Sequence, residues 1–242
     1  MKEKIYTIPI NDAFDLDTEC PVCVFEKKEE QERIEYTLGA SMMEPDARIF
    51  TNERGFCHRH TSMLFKCENK LSLALVLKTH IDDLLKDFDG ACELASSECR
   101  KSGLFNKSKD YPIEELENKI ASRANSCAVC EQLGDIMDKF IENILYLYES
   151  EPDFKTKFLS SKGFCLNHYL MLVSKAKKCL KGATLKDFCI NLSQLEKANF
   201  SRLSEEIDWF TKKFDYRYAK EDWKTSRDAV PRGCEKIGSY VD

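Results

Sequence analysis

A chain of 242 residues with 43% hydrophobic and 33% charged residues can bury a core without disulfide staples, which excludes a disordered or fibrous chain. A formal net charge of −5 excludes a general electrostatic pull towards nucleic acid. Nine glycines and six prolines are few for this length and suit long helices better than a turn-rich β-fold.

The first residues, Met1 to Ile5, carry charge with no apolar run behind them, so no signal peptide is expected. The most apolar stretch, Leu71 to Leu77, is far short of the ~18 residues of a membrane-spanning helix. A cytoplasmic protein with no membrane partner is the expectation. In that reducing compartment twelve cysteines point to metal binding or redox chemistry rather than to a disulfide framework.

In chain order, Ile5 to Phe14 reads as an extended lead-in held by Pro9. Cys20-Pro21-Val22-Cys23 then makes a tight turn into a breaker-free helix from Val24 to Thr37, with Glu29, Glu30 and Arg33 on a solvated face. Glu44-Pro45-Asp46 reads as a helix start, since proline suits a first turn and acids favour the positive helix end. Gly55 is expected to close that short helix in a left-handed cap, and Cys57-His58-Arg59-His60 opens the next. Leu71 to Phe88 forms a strong helix, apolar enough to be well buried, with His80 as a hydrogen-bonded core histidine. Asp89 to Pro112, rich in glycine and serine, reads as a linker.

The pattern then recurs. Cys127-Ala128-Val129-Cys130 repeats the first cysteine pair at an offset of 107 residues, and Gly163-Phe164-Cys165-Leu166-Asn167-His168 repeats the Gly55 segment at an offset of 108. Glu151-Pro152-Asp153 repeats the helix start, and Met63-Leu64 returns as Met171-Leu172. A near-constant offset across four landmarks defines a duplication. Leu133, Ile136, Met137, Phe140, Ile141, Ile144, Leu145 and Tyr148 line one face of a helix, and Leu185 to Phe214 forms another long amphipathic one. The tail beyond Phe214 carries Tyr216, Tyr218 and Trp223, with basic and acidic residues near balance, so it is no basic arm.

Cysteine and histidine at these spacings suit Zn²⁺, which takes four thiolate or imidazole donors in a tetrahedron. The ligand residues are Cys20, Cys23, Cys57 and His60 in the first copy, and Cys127, Cys130, Cys165 and His168 in the second. A helix folded back on itself is expected to bring the two halves of each copy together. Only His60 aligns with His168, so His58 is read as a solvent-facing neighbour. Each set is closed, the mark of a structural site, and two Zn²⁺ per chain would move the formal charge from −5 to −7. An iron–sulfur cluster is the lesser alternative. A thiol-redox role for the Cys-x-x-Cys pairs is a further one, although the βαβ setting of thioredoxin-type motifs is missing. Cys67, Cys92, Cys99, Cys179, Cys189 and Cys234 share no spacing and read as ordinary thiols.

Tyr6-Thr7-Ile8-Pro9-Ile10-Asn11-Asp12-Ala13-Phe14, the Cys20/Cys23 pair, Met43-Glu44-Pro45-Asp46-Ala47-Arg48, Thr51-Asn52, Gly55-Phe56-Cys57 with His60, Leu73-Ala74-Leu75, Lys78-Thr79-His80 and Phe214-Asp215-Tyr216-Arg217 resemble a family of bacterial, mainly Firmicutes, proteins of unknown function with paired CPxC and GFCxxH motifs. The resemblance covers most of the chain and implies fold and origin, with no activity. Ala128, where the first copy has Pro21, departs from the motif without removing a ligand.

The expected architecture is therefore all-α, with two tandem related helical modules at residues 1–88 and 113–242, a linker at 89–112, and one Cys₃His site each. The expected function is a zinc-binding scaffold or protein-interaction module, with no catalytic residues named. A redox sensor or enzyme and a nucleic-acid-binding regulator are the alternatives, the last disfavoured by charge.

Overall fold

The computed structural model describes residues 4–99 and 111–238. Among them every regular element is helical and there is no strand. The elements are α1 (Lys4–Phe14), α2 (Pro21–Leu38), a 3₁₀ turn (Ala40–Met43), α3 (Pro45–Arg54), α4 (His58–Lys66), α5 (Lys70–Cys99), α6 (Tyr111–Ala124), α7 (Ala128–Ser150), α8 (Pro152–Ser160), α9 (Leu166–Cys179), α10 (Gly182–Lys212) and α11 (Ala229–Gly238). No described helix is long and apolar enough to cross a membrane. The duplication is visible as α2–α3–α4–α5 followed by α7–α8–α9–α10. Pro45 and Pro152 each stand in the first turn of the short helix of their copy.

The chain divides into two compact units. One comprises Met1–Lys28 with Ile136–Asp242 and the other Glu29–Asp135, so the boundaries fall inside α2 and α7 and each unit draws on both repeats. In the first unit the core is aromatic. Phe14 stacks on Phe158 with ring centroids 5.9 Å apart and meets Phe154 edge-on at 5.2 Å. Phe158 also touches Phe164 and Phe188, and Phe25 lies flat on Phe140 at 3.7 Å. The apolar stripe of α7 is buried as its spacing predicts: Met137, Phe140, Ile141, Ile144, Leu145 and Tyr148 all lie inside. Each such side chain contributes roughly 1.5–3 kcal/mol by leaving water. In the second unit Ile34, Leu38, Leu64, Leu73, Cys127 and Val129 form the core, with Phe56, Met63 and Leu77 packed against it.

Four local expectations are corrected. Residues 5–14, read as extended, belong to α1 with Pro9 inside it. The missing proline N–H disfavours a helix there, but the helix seats Ile10, Ala13 and Phe14 in the core, and that burial decides the conformation. The helix at Leu71 to Phe88 is less buried than its composition suggests. Leu73 and Val76 are inside, while Leu71, Leu75, Ile81, Leu85 and Phe88 are exposed, because α5 has partners along one face. Apolar content reports the demand for burial and leaves the supply of partners undetermined. The segment 89–99, read as linker, continues α5 through Gly90, while 100–110 lie outside the described residues. The tail, for which no element was read, contains α11.

Candidate metal centres

The ligand-bearing segments share one local construction. Cys20 and Cys127 immediately precede α2 and α7, and Cys23 and Cys130 lie one turn inside. Cys57 and Cys165 are the N-cap residues of α4 and α9, and His60 and His168 sit three residues on, so each Cys-x-x-His pair lies on one helical face. Helix N-termini carry partial positive charge and favour a thiolate. Gly55 and Gly163 precede these caps with φ of +61° and +78°, conformations that side-chain-bearing residues rarely adopt. Gly55 caps α3 with ψ of −153°, so it occupies a positive-φ region open essentially to glycine alone and not the left-handed helical conformation that its position suggested. Gly163 stands beyond the cap of α8, which is Ser161.

Two four-residue clusters result: Cys20, Cys23, Cys165 and His168, and Cys57, His60, Cys127 and Cys130, with the donor atoms of each set within 4.8 Å of one another. All eight expected residues take part, but their pairing is exchanged. Each cluster joins the Cys-x-x-Cys of one repeat to the Cys-x-x-His of the other. The expected hairpin fails on length. At ~1.5 Å per residue, the 18 residues of α2 carry the chain nearly twice as far as the 10 of α3 can return it. The 23 residues of α7 against 9 in α8 widen the mismatch in the second copy.

In each cluster the histidine Nδ1 faces all three sulfurs. His168 Nδ1 lies 3.4, 3.3 and 3.2 Å from the Sγ atoms of Cys20, Cys23 and Cys165. His60 Nδ1 lies 3.3, 3.2 and 3.3 Å from those of Cys57, Cys127 and Cys130. Sulfurs approach to 3.5 Å between Cys23 and Cys165 and to 3.8 Å between Cys57 and Cys130. With bonds of ~2.3 Å to sulfur and ~2.0 Å to nitrogen, the edges of a tetrahedral zinc site measure roughly 3.5–3.8 Å. The donors therefore stand at, or just inside, the spacing that a four-coordinate ion requires.

The other ring nitrogen of each histidine meets a carboxylate. His60 Nε2 lies 2.9 Å from Glu30 Oε1, and Arg59 donates two hydrogen bonds to the same carboxylate at 2.8 and 2.7 Å. His168 Nε2 lies 3.3 Å from Glu26 Oε2. Such partners fix the tautomer and raise the basicity of a ligating imidazole. Sequence reasoning missed both and placed Glu30 on a solvated face, whereas it is buried against His60 and Arg59. Cys23, Glu26 and Glu30 recur at intervals of three and four along α2, a one-face signal that was available. The positions equivalent to Glu26 and Glu30 in α7 are Leu133 and Met137, so the repeat itself could not reveal them.

The electrostatics show what the donor sets need. Burial opposes protonation of His60, but hydrogen bonds with Cys127 and Glu30 hold its pKa up at about 10. Burial would raise Cys127, yet its hydrogen bond with His60 brings that thiol down to about 6. Burial and the neighbouring Cys127 push Cys130 up to about 12. At the other cluster His168 rises to about 12 against burial, through Cys165, Cys20 and Glu26. Hydrogen bonds with Cys20 and Cys23 hold Cys165 far below the ordinary thiol range, and hydrogen bonds with Cys165 and Cys20 drive Cys23 far above it. Without a cation each cluster thus favours a thiolate against an imidazolium and resists ionising its other sulfurs. A divalent ion between the donors removes that repulsion.

The turns that carry the ligands are tied together differently at the two clusters. Ser126 Oγ donates to the Arg54 carbonyl at 2.6 Å, and the Ala128 N–H donates to the Gly55 carbonyl at 3.0 Å. At the equivalent positions of the other cluster, Glu19 and Lys162, a third residue makes the link. Lys236, fully buried on α11, donates from Nζ to the Glu19 carbonyl at 3.1 Å and to the Lys162 carbonyl. Its ammonium also lies 3.4 Å from Glu196 Oε2, while Glu196 Oε1 accepts the Phe164 N–H at 2.5 Å. A Cβ at Gly163 would sit 2.5 Å from that same oxygen, so the glycine lets the carboxylate approach the backbone.

Of the other candidates, His58 falls where the sequence placed it, while His80 makes its expected hydrogen bond but lies outside the core. His58 is exposed and outside both clusters. His80 is half-buried, with Nδ1 2.8 Å from the Asn52 carbonyl. Cys67 packs against the core of the second unit, Cys189 is half-buried, and Cys92, Cys179 and Cys234 are exposed. The side chain of Cys99 lies outside the described residues. Cys67, Cys92, Cys179, Cys189 and Cys234 join neither metal cluster.

Fold and site together define an all-α protein with two Cys₃His clusters able to hold metal ions. The chain belongs to DUF6062, a family of unknown function whose model matches residues 1–242. No curated protein and no solved structure matches it.

Proposed function

We propose that the chain is a zinc protein that holds two structural Zn²⁺ ions and serves as a metal-stabilised scaffold for protein interaction. The observation that carries this reading is the convergence of residues 148 positions apart in sequence, Cys20 and His168, into a four-donor set that the duplicated motifs form twice. Three thiolates and one imidazole favour Zn²⁺ over harder cations. Four protein donors leave no coordination position for a substrate, which favours a structural over a catalytic role. Cys20, Cys23, Cys165 and His168 would hold one ion, and Cys57, His60, Cys127 and Cys130 the other. The bound ion supplies charge neutralisation and cross-links segments distant in sequence. Glu26 and Glu30 orient the histidines.

Structural zinc contributes roughly 10–16 kcal/mol of apparent binding energy in small modules at neutral pH, so chelation should loosen the helices around each cluster. The test is elemental analysis of the purified full chain together with thermal unfolding before and after chelation. The reading expects two zinc ions per chain and a lower melting temperature once they are removed. A folded chain with far less than two equivalents of any metal, and no response to added Zn²⁺, refutes it. The compartment on this reading is the cytoplasm, where thiols stay reduced.

A further inference from the structure

The two clusters have the same donor set and closely matched donor distances, and they differ in access. Cys20, Cys23, Cys165 and His168 are all buried, whereas at the other cluster Cys57 is half-buried and Cys130 is exposed. The sulfurs of Cys57 and Cys130 stand 3.8 Å apart, and their buried counterparts Cys165 and Cys23 stand 3.5 Å apart. Thiolate oxidation follows nucleophilicity and access. Nearly equal sulfur spacing lets the buried cluster serve as an internal comparison for access.

We infer that Cys57 and Cys130 form a peroxide-reactive pair whose oxidation to a disulfide releases the metal ion of their cluster, while the Cys20, Cys23, Cys165 and His168 cluster keeps its own. This rests on the zinc reading above. Cys130 Sγ, the exposed sulfur, attacks one oxygen of hydrogen peroxide. The O–O bond breaks, hydroxide leaves, and Cys130 becomes a sulfenic acid. Cys57 Sγ then attacks the Cys130 sulfur, expelling a second hydroxide and forming the S–S bond. Two electrons pass from the two sulfurs to the peroxide, and two protons from solvent turn the hydroxides into water. The ion, left with Cys127 and His60 alone, dissociates. A thiol reductant with fresh Zn²⁺ reverses the change. The device pairs a permanent structural ion with a removable one in the same chain.

The test uses the zinc-loaded full chain carrying Cys92→Ser, Cys179→Ser and Cys234→Ser, which silences exposed thiols that join neither cluster. Hydrogen peroxide is added at low excess. Zinc release is followed with a chromogenic chelator, and disulfides are mapped by alkylation and peptide mass spectrometry. One equivalent of zinc should leave with a Cys57–Cys130 disulfide, at least about tenfold faster than the second, because buried thiolates react only through local opening. Reduction with added zinc should restore two equivalents. The Cys130→His variant, which keeps four donors but cannot form the disulfide, should slow the first release by a similar factor. Equal release rates, or a first disulfide at Cys23–Cys165 or Cys127–Cys130, overturn the inference. If the chain holds no zinc at the outset, the zinc reading fails by itself. Peroxide on the metal-free chain then still decides which cluster oxidises first, with a disulfide among Cys57, Cys127 and Cys130 expected first and Cys23–Cys165 first contradicting it.

Discussion

Replacing Lys236 by methionine removes the ammonium that ties the two ligand turns of the buried cluster while keeping an aliphatic stem. Three consequences follow from the structure. The Glu19 and Lys162 carbonyls lose a donor, and the Glu196 carboxylate loses the cation it faces from α11. Glu196 is itself only 7% exposed and Lys236 is 0% exposed, so solvent compensates little. Removing one partner of a buried ion pair costs about 3–5 kcal/mol. At roughly 2–4 °C per kcal/mol for a domain of 150–250 residues, the melting temperature should fall by about 6–20 °C. The loss should also depend on pH. Burial already raises the Glu196 pKa above its ordinary 4.5, and Lys236 is the cation that restrains the rise. Without Lys236 the folded carboxyl rises further. A folded pKa above the unfolded one weakens stability as pH climbs past the unfolded value, so the variant should lose more at pH 7 than at pH 5. Urea unfolding of the zinc-loaded protein at both pH values measures this, and Lys236→Met with Glu196→Gln should recover part of the loss. A Lys236→Met variant within about 1 kcal/mol of the parent, or one whose deficit does not change with pH, would refute the reasoning.

Glu30→Gln should weaken zinc binding at the Cys57, His60, Cys127 and Cys130 cluster by roughly 10–100-fold and leave the other cluster unchanged, as read by competition with a chelator of known affinity. Gly163→Ala combines a φ of +78° with a Cβ 2.5 Å from Glu196 Oε1. Strain of this kind costs about 1–3 kcal/mol, measurable by denaturant unfolding, whereas Gly90→Ala meets no neighbour and should not destabilise. Asp87 pairs with Arg123 at 2.9 Å and Lys119 at 3.0 Å. Despite burial these cations hold its pKa below the ordinary 3.8. Its contribution is therefore present above that value and lost as pH falls through the lowered one. Asp87→Asn should flatten the acid limb of the stability curve below about pH 4 and destabilise the protein at pH 7.

The helices around the duplicated motifs were legible because their signals are local. The apolar face of α7 repeats at helical spacing, and Pro45 and Pro152 mark first turns. The eight ligands were legible because the repeat names them and discards His58. The pairing was not, since ligand order along a chain carries no information about which turns meet. The lengths of α2 and α3 held the clue, because a short helix cannot undo the travel of a long one. Glu26 and Glu30 escaped because they lie on α2 without equivalents on α7. The bridging role of Lys236 escaped because it depends on a tail helix 74 residues from Lys162, and nothing local in a lysine announces a buried ammonium. The helical conformation of residues 4–14 was hidden by Pro9, whose local preference yields to the burial of Ile10 and Phe14.

The exchanged pairing is most directly tested by counting zinc in two double variants. With Cys20→Ser and Cys165→Ser, both substitutions fall in one cluster, and the chain should retain one zinc ion. With Cys20→Ser and Cys57→Ser, each cluster loses a donor, and the chain should retain none. The opposite pattern, none in the first variant and one in the second, would return the ligands to sets within each repeat and contradict the account.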